Sequence, residues 1–305
     1  MVRFGVAGYP PAFDKSIYRK DRIRILNWLS DLGLDAFEIQ MTYGPRTKPE
    51  TCAAYRNLAN DLGIKISIHA SYYIVLTSPD PEKIARSIET LERTFQLAEV
   101  LGADSVVLHP GSYYGNHSEV AKKILIESLN SFFAQTKSKN IGLFLETAGK
   151  LGQFGSVDEI LDVCTKVDRC HPCIDFGHIH ARSQGQLRDR SAIDNIIADV
   201  KRYLMSDATR RVHFHYTPIN YGPRGEIGHK ALTDKYPARM QMSLLNKKAD
   251  DYYLPRYEPI IESISEANIS CTIISETFNS QEEGALAMKT YYQRNKDKIR
   301  PSSQD

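Results

Sequence analysis

The stretch IGLFLETAG, residues 141–149, has the pattern of a buried β-strand that ends on an acidic side chain, Glu146. A short apolar run bounded by turn residues is typical of a strand whose two faces are both covered. Five more apolar runs end on or beside a residue that can bind a metal ion: IKISIHAS at 64–71, DSVVLHPGS at 104–112, PCIDFGH at 172–178, RVHFHYT at 211–217 and CTIISETF at 271–278. Packing alone does not explain this recurrence, because it puts imidazoles and carboxylates where the strands leave the core.

Amphipathic helical patterns separate these runs. The predicted strands cover residues 2–7, 35–40, 64–70, 105–109, 141–147, 172–175, 211–217 and 269–276. The predicted helices cover residues 20–32, 49–62, 81–101, 118–138, 156–167, 191–205, 257–266 and 281–298. This alternation predicts an α/β protein, a single-domain (β/α)8 TIM barrel over residues 1–298, followed by a disordered tail at 299–305. A doubly wound open sheet is the alternative, but its site would lie at one crevice, whereas ligand types here recur from the third strand to the eighth.

Several helix ends are marked by local signals. Asp80 precedes Pro81, an N-cap residue followed by proline at the first helical position. Ser156 stands three residues before Glu159, which is the spacing of a capping box. Leu-Gly pairs at 32–33, 62–63 and 101–102 predict left-handed C-terminal caps.

The composition sets few limits on the partner. The chain has 305 residues, 42% of them hydrophobic, and a formal net charge of +2. That size allows one large core, and so small a charge neither requires nor excludes a nucleic-acid partner. Five cysteines, an odd number without a secretory framework, favour a reducing compartment. Because no targeting segment and no membrane-length apolar run is found, we expect a soluble cytoplasmic protein with no membrane partner.

Two of the cysteines, Cys170 and Cys173, form a C-x-x-C motif. The motif lacks a second pair at zinc-ribbon spacing, and Cys173 falls within a predicted strand. Buried structural thiols are therefore favoured over a redox or zinc-knuckle motif.

The strand ends supply the candidate site. In a parallel barrel the C-terminal ends of the strands converge on one rim, where active sites lie. The candidate ligands there are His69, His109, Glu146, Asp175, His178, His213 and Glu276. Zinc and similar ions accept histidine nitrogen and carboxylate oxygen, and this set is too large for one tetrahedral ion. It suits two or three ions that share Glu146, and it predicts a hydrolytic or isomerising enzyme.

Other residues are weaker candidates. His215 follows His213 by two positions, so it points to the same side of the strand and is an alternative ligand. Glu226 and His229 form a Glu-x-x-His in the long connection from 218 to about 255, which we predict to be a strandless loop over the rim. Glu38, near the end of the second predicted strand, is a candidate for supporting the ligands.

The ordered series IHASY, LHPGS, LETAG, IDFGH, HFHY, GEIGH and SET resembles the endonuclease IV family of apurinic/apyrimidinic (AP) endonucleases, over roughly residues 64–276. The resemblance implies a TIM barrel with zinc as cofactor: two ions are expected, a third site is available, and manganese is an alternative ion. The implied ligand sets are His69, His109 and Glu146 for one ion; Glu146, Asp175, His213 and Glu276 for a second; and His178 with His229 and others from the long connection for a third. The family usually has an Asp-x-His pair ahead of the glycine-rich run, and this chain keeps only GEIGH at 225–229.

The resemblance also implies an activity. Double-stranded DNA with an abasic site would be the partner, and the phosphodiester bond 5′ of that site would be hydrolysed. Glu146 would be the catalytic residue, as the bridge between ions and the anchor of the attacking water. Arg46 and Tyr72 are the residues that resemble the family's DNA-contact positions. A monomer is implied, and no protein partner is indicated.

Two other functions stay open. A sugar isomerase or epimerase of the xylose-isomerase-like superfamily would share a rim of histidine, glutamate and aspartate. A barrel that has lost catalysis would bind metal or DNA without turnover. The histidine-rich set, above all His69 with His109, favours the nuclease over the isomerase or epimerase.

Overall fold

The computed structural model describes residues 1–232 and 253–299 of the chain. Its strands are β1 (Val2–Ala7), β2 (Ala36–Gln40), β3 (Lys65–His69), β4 (Ser105–Leu108), β5 (Gly142–Glu146), β6 (Cys170–Asp175), β7 (His213–Tyr216), β8 (Ile219–Gly222), β9 (Gly225–His229) and β10 (Cys271–Ser275). Its α-helices are α1 (Ile25–Asp31), α2 (Pro49–Leu62), α3 (Pro81–Leu101), α4 (Ser118–Gln135), α5 (Val157–Lys166), α6 (Phe176–Arg182), α7 (Arg190–Met205), α8 (Tyr257–Glu266) and α9 (Gln281–Ile299).

Eight parallel strands of the described residues close into a barrel in the order β1-β10-β7-β6-β5-β4-β3-β2. The predicted (β/α)8 TIM barrel is therefore confirmed, and the open sheet is excluded. Each predicted barrel strand is present, with ends that differ from the prediction by no more than two residues. Fully buried apolar side chains such as Phe37, Leu145 and Phe214 show why these runs read as continuous hydrophobic strands.

The predicted helix signals are found at the helix ends. The Asp80 side chain accepts a hydrogen bond from the Glu82 backbone N–H, and proline opens α3. Ser156 and Glu159 form the reciprocal capping box of α5. Gly63 and Gly102 end α2 and α3 with φ of 68° and 69°, a left-handed conformation that glycine adopts without steric penalty.

Three elements differ from the prediction. The helix predicted over 20–32 begins as a short 3-10 turn at Arg22–Arg24 and becomes α1 only at Ile25. The turn after β6 is a helix, α6, whose N-cap is Asp175. The connection predicted to lack strands contains the antiparallel hairpin β8–β9, because Gly222 and Gly225 pair across a two-residue turn.

Parts of two predictions lie outside the described residues. The long connection is described only to residue 232 and again from 253. Of the predicted tail at 299–305, only Ile299 is described, as the last residue of α9.

All five cysteines belong to the described residues, and each is buried and free. Cys170 and Cys173 both lie in β6, which agrees with the interpretation as structural thiols. Among the described helices, none combines the length and apolar character needed to cross a membrane.

Candidate metal centre

Glu146, the last residue of β5, is the centre of the site and is fully buried. Its Oε2 lies 3.0 Å from His69 Nε2 and 3.2 Å from His109 Nε2. Its Oε1 lies 3.2 Å from Nδ1 of His215 and 3.2 Å from Nδ1 of His178. Four imidazoles therefore surround one carboxylate, three from the ends of β3, β4 and β7 and one from the first turn of α6. These surroundings keep the pKa of Glu146 well below its usual value although burial alone would raise it.

Site 1 consists of His69, His109 and Glu146, whose ligand atoms lie within 4.8 Å of one another. The His69 Nδ1 lies 2.9 Å from the carbonyl oxygen of Ala70, which can only accept, so this nitrogen carries the hydrogen. The His69 Nε2 atom faces Glu146, and it either carries a second hydrogen or presents a lone pair. Burial would lower the pKa of His69, but the contact with Glu146 raises it to about 9. A proton or another cation is consequently favoured between these two groups.

His109 differs from His69 in charge. Burial lowers the pKa of His109 to about 3, so its imidazole is neutral at neutral pH. A neutral imidazole is the form that binds a metal ion. Among the described residues, its Nδ1 has no hydrogen-bond partner.

Site 2 consists of Glu146, Asp175, His215 and Glu276, again within 4.8 Å of one another. Asp175 is fully buried, and its Oδ1 accepts the His178 backbone N–H at 2.7 Å. Its Oδ2 has no hydrogen-bond partner within 1–232 and 253–299. Burial, opposed by His215 and reinforced by the charge on Glu146, raises the pKa of Glu276. An unpartnered buried carboxylate oxygen among three acids is destabilising unless a cation compensates it, so this donor set fits a metal ion.

Site 3 consists of His178, Glu226 and His229. His178 Nδ1 lies 2.9 Å from the Thr147 carbonyl oxygen, and His229 Nδ1 lies 3.1 Å from the Glu276 carbonyl oxygen. Both rings thus turn Nε2 toward Glu226, at 3.7 Å from Oε2 and 3.8 Å from Oε1. A histidine whose other ring nitrogen donates to a backbone carbonyl is oriented as metal ligands usually are.

An irregularity in the hairpin brings Glu226 and His229 to the same side. Tyr221 pairs with Glu226 and Asn220 with Gly228, so Ile227 is an extra residue on β9. Ile227 is 73% exposed, which shows that it bulges outward. Residues three apart on a regular strand would point to opposite faces, and the bulge restores a common face.

The loop after β5 holds the hairpin in place. The Glu226 backbone N–H donates to the Gly149 carbonyl oxygen at 3.0 Å, and Leu151 N–H donates to Arg224 O at 3.1 Å. A Cβ atom at Gly149 would lie 2.7 Å from Glu226 Cβ. Only glycine allows this approach, so Gly149 is part of the reason that Glu226 reaches His178.

One predicted ligand, His213, lies outside sites 1 to 3. Site 2 contains His215, and His213 forms a separate buried group with Glu38 and His215, in which its Nε2 lies 3.1 Å from Glu38 Oε2. The register with β6 gives the reason: His215 is level with Asp175 at the rim, whereas His213 is level with Cys173, one inward position deeper. The other seven predicted ligands all lie in sites 1 to 3: His69, His109, Glu146, Asp175, His178, His229 and Glu276.

Two further polar residues of β2 reach the site. Glu38 is fully buried, with Oε1 3.0 Å from His215 Nε2, and Gln40 Nε2 lies 3.4 Å from Glu276 Oε1. Burial opposes ionisation of Glu38, but attraction by His215 and His213 lowers its pKa. The sequence proposed only a supporting role for Glu38 and did not single out Gln40. The alternation in AFEIQ was the signal, because it places both polar residues on one face of β2.

The mouth of the site carries exposed aromatic rings. The Tyr72 ring stacks on His109, with centroids 6.0 Å apart and planes at 17°, and the Tyr72 side chain is 58% exposed. Other exposed aromatics follow the barrel strands β2, β3, β4 and β10: Tyr43, Tyr73, Tyr114 and Phe278. Arg46 is exposed on the loop between β2 and α2.

Comparison with known proteins agrees with this architecture. Residues 26–296 match a family model described as xylose isomerase-like TIM barrel. An uncharacterised protein of Methanocaldococcus jannaschii is 29% identical, over 95% of this chain and 97% of its own. A probable endonuclease 4 of Acholeplasma laidlawii is 32% identical over 47% of this chain, which spans about half (51%) of that relative.

Solved structures share the fold at lower identity. The D-psicose 3-epimerase of Clostridium cellulolyticum superimposes with a TM-score of 0.65 at 13% identity, over 96% of this chain and 99% of that one. Endonuclease IV of Thermus thermophilus gives a TM-score of 0.59 at 18% identity, with the same coverage, 96% and 99%. Probable endonuclease 4 proteins are among the relatives of the chain, and the chain belongs to the xylose isomerase-like TIM barrel family.

Proposed function

We propose that this protein is a metal-dependent AP endonuclease, which hydrolyses the phosphodiester bond 5′ of an abasic site in double-stranded DNA. The observation that carries the proposal is the set of three adjoining ligand clusters around Glu146, with His69 and His109 in the first. An enzyme that needs a single ion would require only one of these clusters. Similarity to probable endonuclease 4 proteins supports the same function.

Zinc is the ion that we propose for these clusters. Histidine nitrogen and carboxylate oxygen are its usual ligands when cysteine is absent, and both occur in every cluster. Manganese is the alternative for site 2, where three of the four ligands are carboxylates. Such ions supply neutralisation of phosphate charge and activation of water.

The residues of the chain prepare the site for this chemistry. Glu146 offers one oxygen to site 1 and the other to site 2, which keeps the two sites within one carboxylate of each other. The neutral His109 presents a lone pair and not a competing positive charge. Tyr72 covers the His69 and His109 rings and limits access of bulk water from that side.

The rim suits an extended polyanion. Exposed aromatic side chains can stack on bases beside a displaced nucleotide. Exposed cationic side chains can bind phosphates, and they come from the loops after β2 and β5 and from the hairpin turn: Arg46, Lys48, Lys150 and Arg224. We therefore propose that DNA crosses the open rim, with Arg46 and Tyr72 among its contacts.

Cleavage of a duplex with one tetrahydrofuran abasic analogue tests the proposal. This analogue cannot undergo β-elimination, so strand cleavage reports hydrolysis alone. We expect zinc-dependent incision that leaves a 3′-hydroxyl and is lost in Glu146→Gln. The matched control is Glu127→Gln on the outer face of α4, which should cleave like the wild type. An intact duplex in the presence of fully metallated wild-type protein would refute the proposal.

A sugar epimerase is the second candidate. Site 2 alone, with two glutamates, an aspartate and one histidine, has the ligands for a one-ion sugar site, and the fold is shared with the solved epimerases. That function would leave sites 1 and 3 unexplained. Incubating the metal-loaded protein with D-psicose or D-tagatose and analysing the products separates the two functions, and we expect the sugar to be unchanged.

A further inference from the structure

We infer that Arg182 is a positioning residue of site 3: it fixes the loop after β5 in the conformation on which the hairpin β8–β9 docks, and so holds Glu226 opposite His178. The inference rests on the metal centre of the proposed function and not on its substrate. Arg182 is the last residue of α6, four positions after His178. Residues four apart lie on the same face of a helix, so one short helix carries both the ligand and the arginine.

The guanidinium group of Arg182 binds two backbone carbonyl groups of the loop after β5. Its Nη1 donates to Lys150 O at 2.9 Å and to Gln153 O at 3.0 Å. These two carbonyl groups belong to one turn, because the Gln153 N–H also donates to Lys150 O. A charged donor makes stronger hydrogen bonds than a neutral one, so Arg182 stabilises this turn.

The other guanidinium nitrogen connects the turn to the loop after β4. Arg182 Nη2 donates to the Tyr113 hydroxyl at 2.8 Å, and that hydroxyl donates to Glu159 Oε1 at 2.8 Å. The capping box of α5 holds Glu159 in place, and the Tyr113 N–H donates to Gly152 O at 3.1 Å. Arg182 can therefore leave the turn only by breaking three hydrogen bonds.

The hairpin docks on the same turn. Lys150 and Gly225 form an antiparallel bridge, and the Glu226 N–H donates to Gly149 O at 3.0 Å. We call this contact, between residues 149–151 and 224–226, the joint. Since the turn is one side of the joint, fixing the turn also fixes the backbone of Glu226.

The ligands of site 3 differ in how the fold orients them. The rings of His178 and His229 are each oriented by a backbone carbonyl group. The Glu226 carboxylate lies 3.7 Å from His178 and 3.8 Å from His229, and within residues 1–232 and 253–299 no hydrogen bond orients it. Its position is set by its backbone, so it depends on the joint.

The hairpin has other anchors that do not involve Arg182. Gln184 Nε2 donates to Gly222 O at 3.0 Å, and His229 Nδ1 lies 3.1 Å from Glu276 O. Loss of the Arg182 side chain leaves both contacts in place. We therefore expect a folded hairpin that is no longer held against the loop after β5.

Arg169 is a matched control for an arginine that only stabilises the fold. Its Nη2 also donates to two backbone carbonyl groups of one loop, Ser138 O and Ile141 O. Its guanidinium carbon lies 4.7 Å from the centroid of the Phe133 ring. Arg169 directly precedes β6, so it lies at the opposite end of the barrel from the metal centre.

The first measurement is amide hydrogen exchange of the metal-free wild-type protein. The Leu151 and Glu226 amides donate to carbonyl groups across the joint, so we expect both to be protected from exchange. Exchange of both amides as fast as in an unstructured loop would overturn the inference, because the joint would not exist before an ion binds. This result depends on no variant.

The second measurement compares the exchange of Arg182→Met with that of Arg169→Met. Methionine keeps an apolar stem and removes the donors. In Arg182→Met we expect the Leu151 and Glu226 amides to lose nearly all protection while the amides of the barrel strands keep theirs. In Arg169→Met the joint should stay protected.

Three results of this comparison would contradict the positioning role. An unchanged joint in Arg182→Met would show that the turn needs no support from the arginine. Loss of protection throughout the barrel in Arg182→Met would show a general role in stability. Loss of the joint in Arg169→Met would show that the joint responds to any weakening of the fold.

The third measurement is zinc affinity in competition with a chelator. For Arg182→Met we expect about tenfold weaker binding at one site, which corresponds to a joint formed in about one tenth of the molecules, and an unchanged metal count at saturation. In Glu226→Ala, which lacks a site 3 ligand, adding Arg182→Met should not weaken the ions of sites 1 and 2. Weaker binding at those sites would contradict the inference.

These experiments are independent of the proposed activity. Hydrogen exchange uses metal-free protein, and no measurement includes nucleic acid. A failure of the inference is therefore distinct from a failure of the proposed DNA cleavage.

Discussion

Among the residues of the centre, His213 and His215 show how far the sequence could go. Period-two alternation placed both side chains on the inner face of one strand, which the structure confirms. It could not say which of them lies at the rim, because an inward-facing residue two positions deeper has the same pattern. Only the register with β6, where His215 is level with Asp175, decides this.

The assignment predicts different metal losses for two histidine variants. His215→Ala removes a ligand from site 2 and should lower the bound zinc by one ion per chain. His213→Ala removes a contact with Glu38 only, so it should keep the full number of ions at saturating zinc. Metal analysis after gel filtration measures both, and the reverse pattern would restore His213 as the ligand.

Another histidine away from the metal centre makes stability depend on pH. His171 is buried, and burial, reinforced by Arg211 and Arg210, lowers its pKa to about 3. The unfolded chain, with a histidine pKa near 6.5, binds the proton more readily. The contribution of His171 to stability is therefore present above about pH 6.5 and is lost as the pH falls toward the folded-state value.

This shift predicts a smaller acid destabilisation for His171→Gln. The wild type should lose about 2–3 kcal/mol of unfolding free energy between pH 7 and pH 4 through this one group. The variant should lack that component while keeping the rest of the profile. Urea unfolding of the metal-free protein at each pH gives the unfolding free energies of the wild type and the variant. An equal loss of unfolding free energy in both proteins would exclude His171 as the cause.

At the scale of elements, the barrel strands and most helices could be predicted, whereas α6 and the hairpin could not. The strands are short apolar runs with capped helices between them, so local signals and tertiary position agree. In α6 the signal was concealed, since its N-cap, Asp175, is also the last residue of β6 and a candidate ligand. In β8–β9 it was weak, because two four- to five-residue strands with an irregular register show little alternation.

The docking of the hairpin on the β5 loop predicts an effect of Gly149→Ala. The added Cβ would lie 2.7 Å from both Cβ and Oε2 of Glu226, so the hairpin must move. We expect loss of the ion at site 3, retention of the other two, and a destabilisation of about 1–3 kcal/mol. Gly152→Ala is the control in the same loop, since a Cβ there meets nothing within 4 Å. Metal analysis and thermal unfolding check both variants, and three retained ions in Gly149→Ala would contradict the account.

For the whole molecule, the sequence predicted the fold and the gathering of histidine and carboxylate side chains at one rim better than the substrate. Fold and ligands follow from strand ends, where alternation and residue type are strongly constrained. The choice of substrate depends on the rim loops, whose conformations leave no periodic pattern in the sequence. Residues such as Tyr43 and Phe278, far apart in sequence, lie at the same end of the barrel only because the barrel closes.

If DNA binds across the rim, its affinity should depend on salt concentration, and individual cationic side chains should contribute to that dependence. Lys150→Ala and Arg224→Ala should each reduce the slope of log affinity against log salt by about 1, because each removes one phosphate contact. Lys201→Ala, on the exposed side of α7, should leave the slope unchanged. Fluorescence anisotropy of an abasic duplex at several salt concentrations gives these slopes. If all three variants have the slope of the wild type, DNA does not contact Lys150 and Arg224.

Anomalous diffraction at the zinc edge tests most directly whether the three ligand clusters at Glu146 and beside it each hold an ion. Crystals grown with zinc should show three peaks: one between His69, His109 and Glu146, one beside His215, and one between His178, Glu226 and His229. A single peak at site 2 would contradict the nuclease centre and favour the sugar epimerase. No peak at any of the three sites would contradict the metal centre itself.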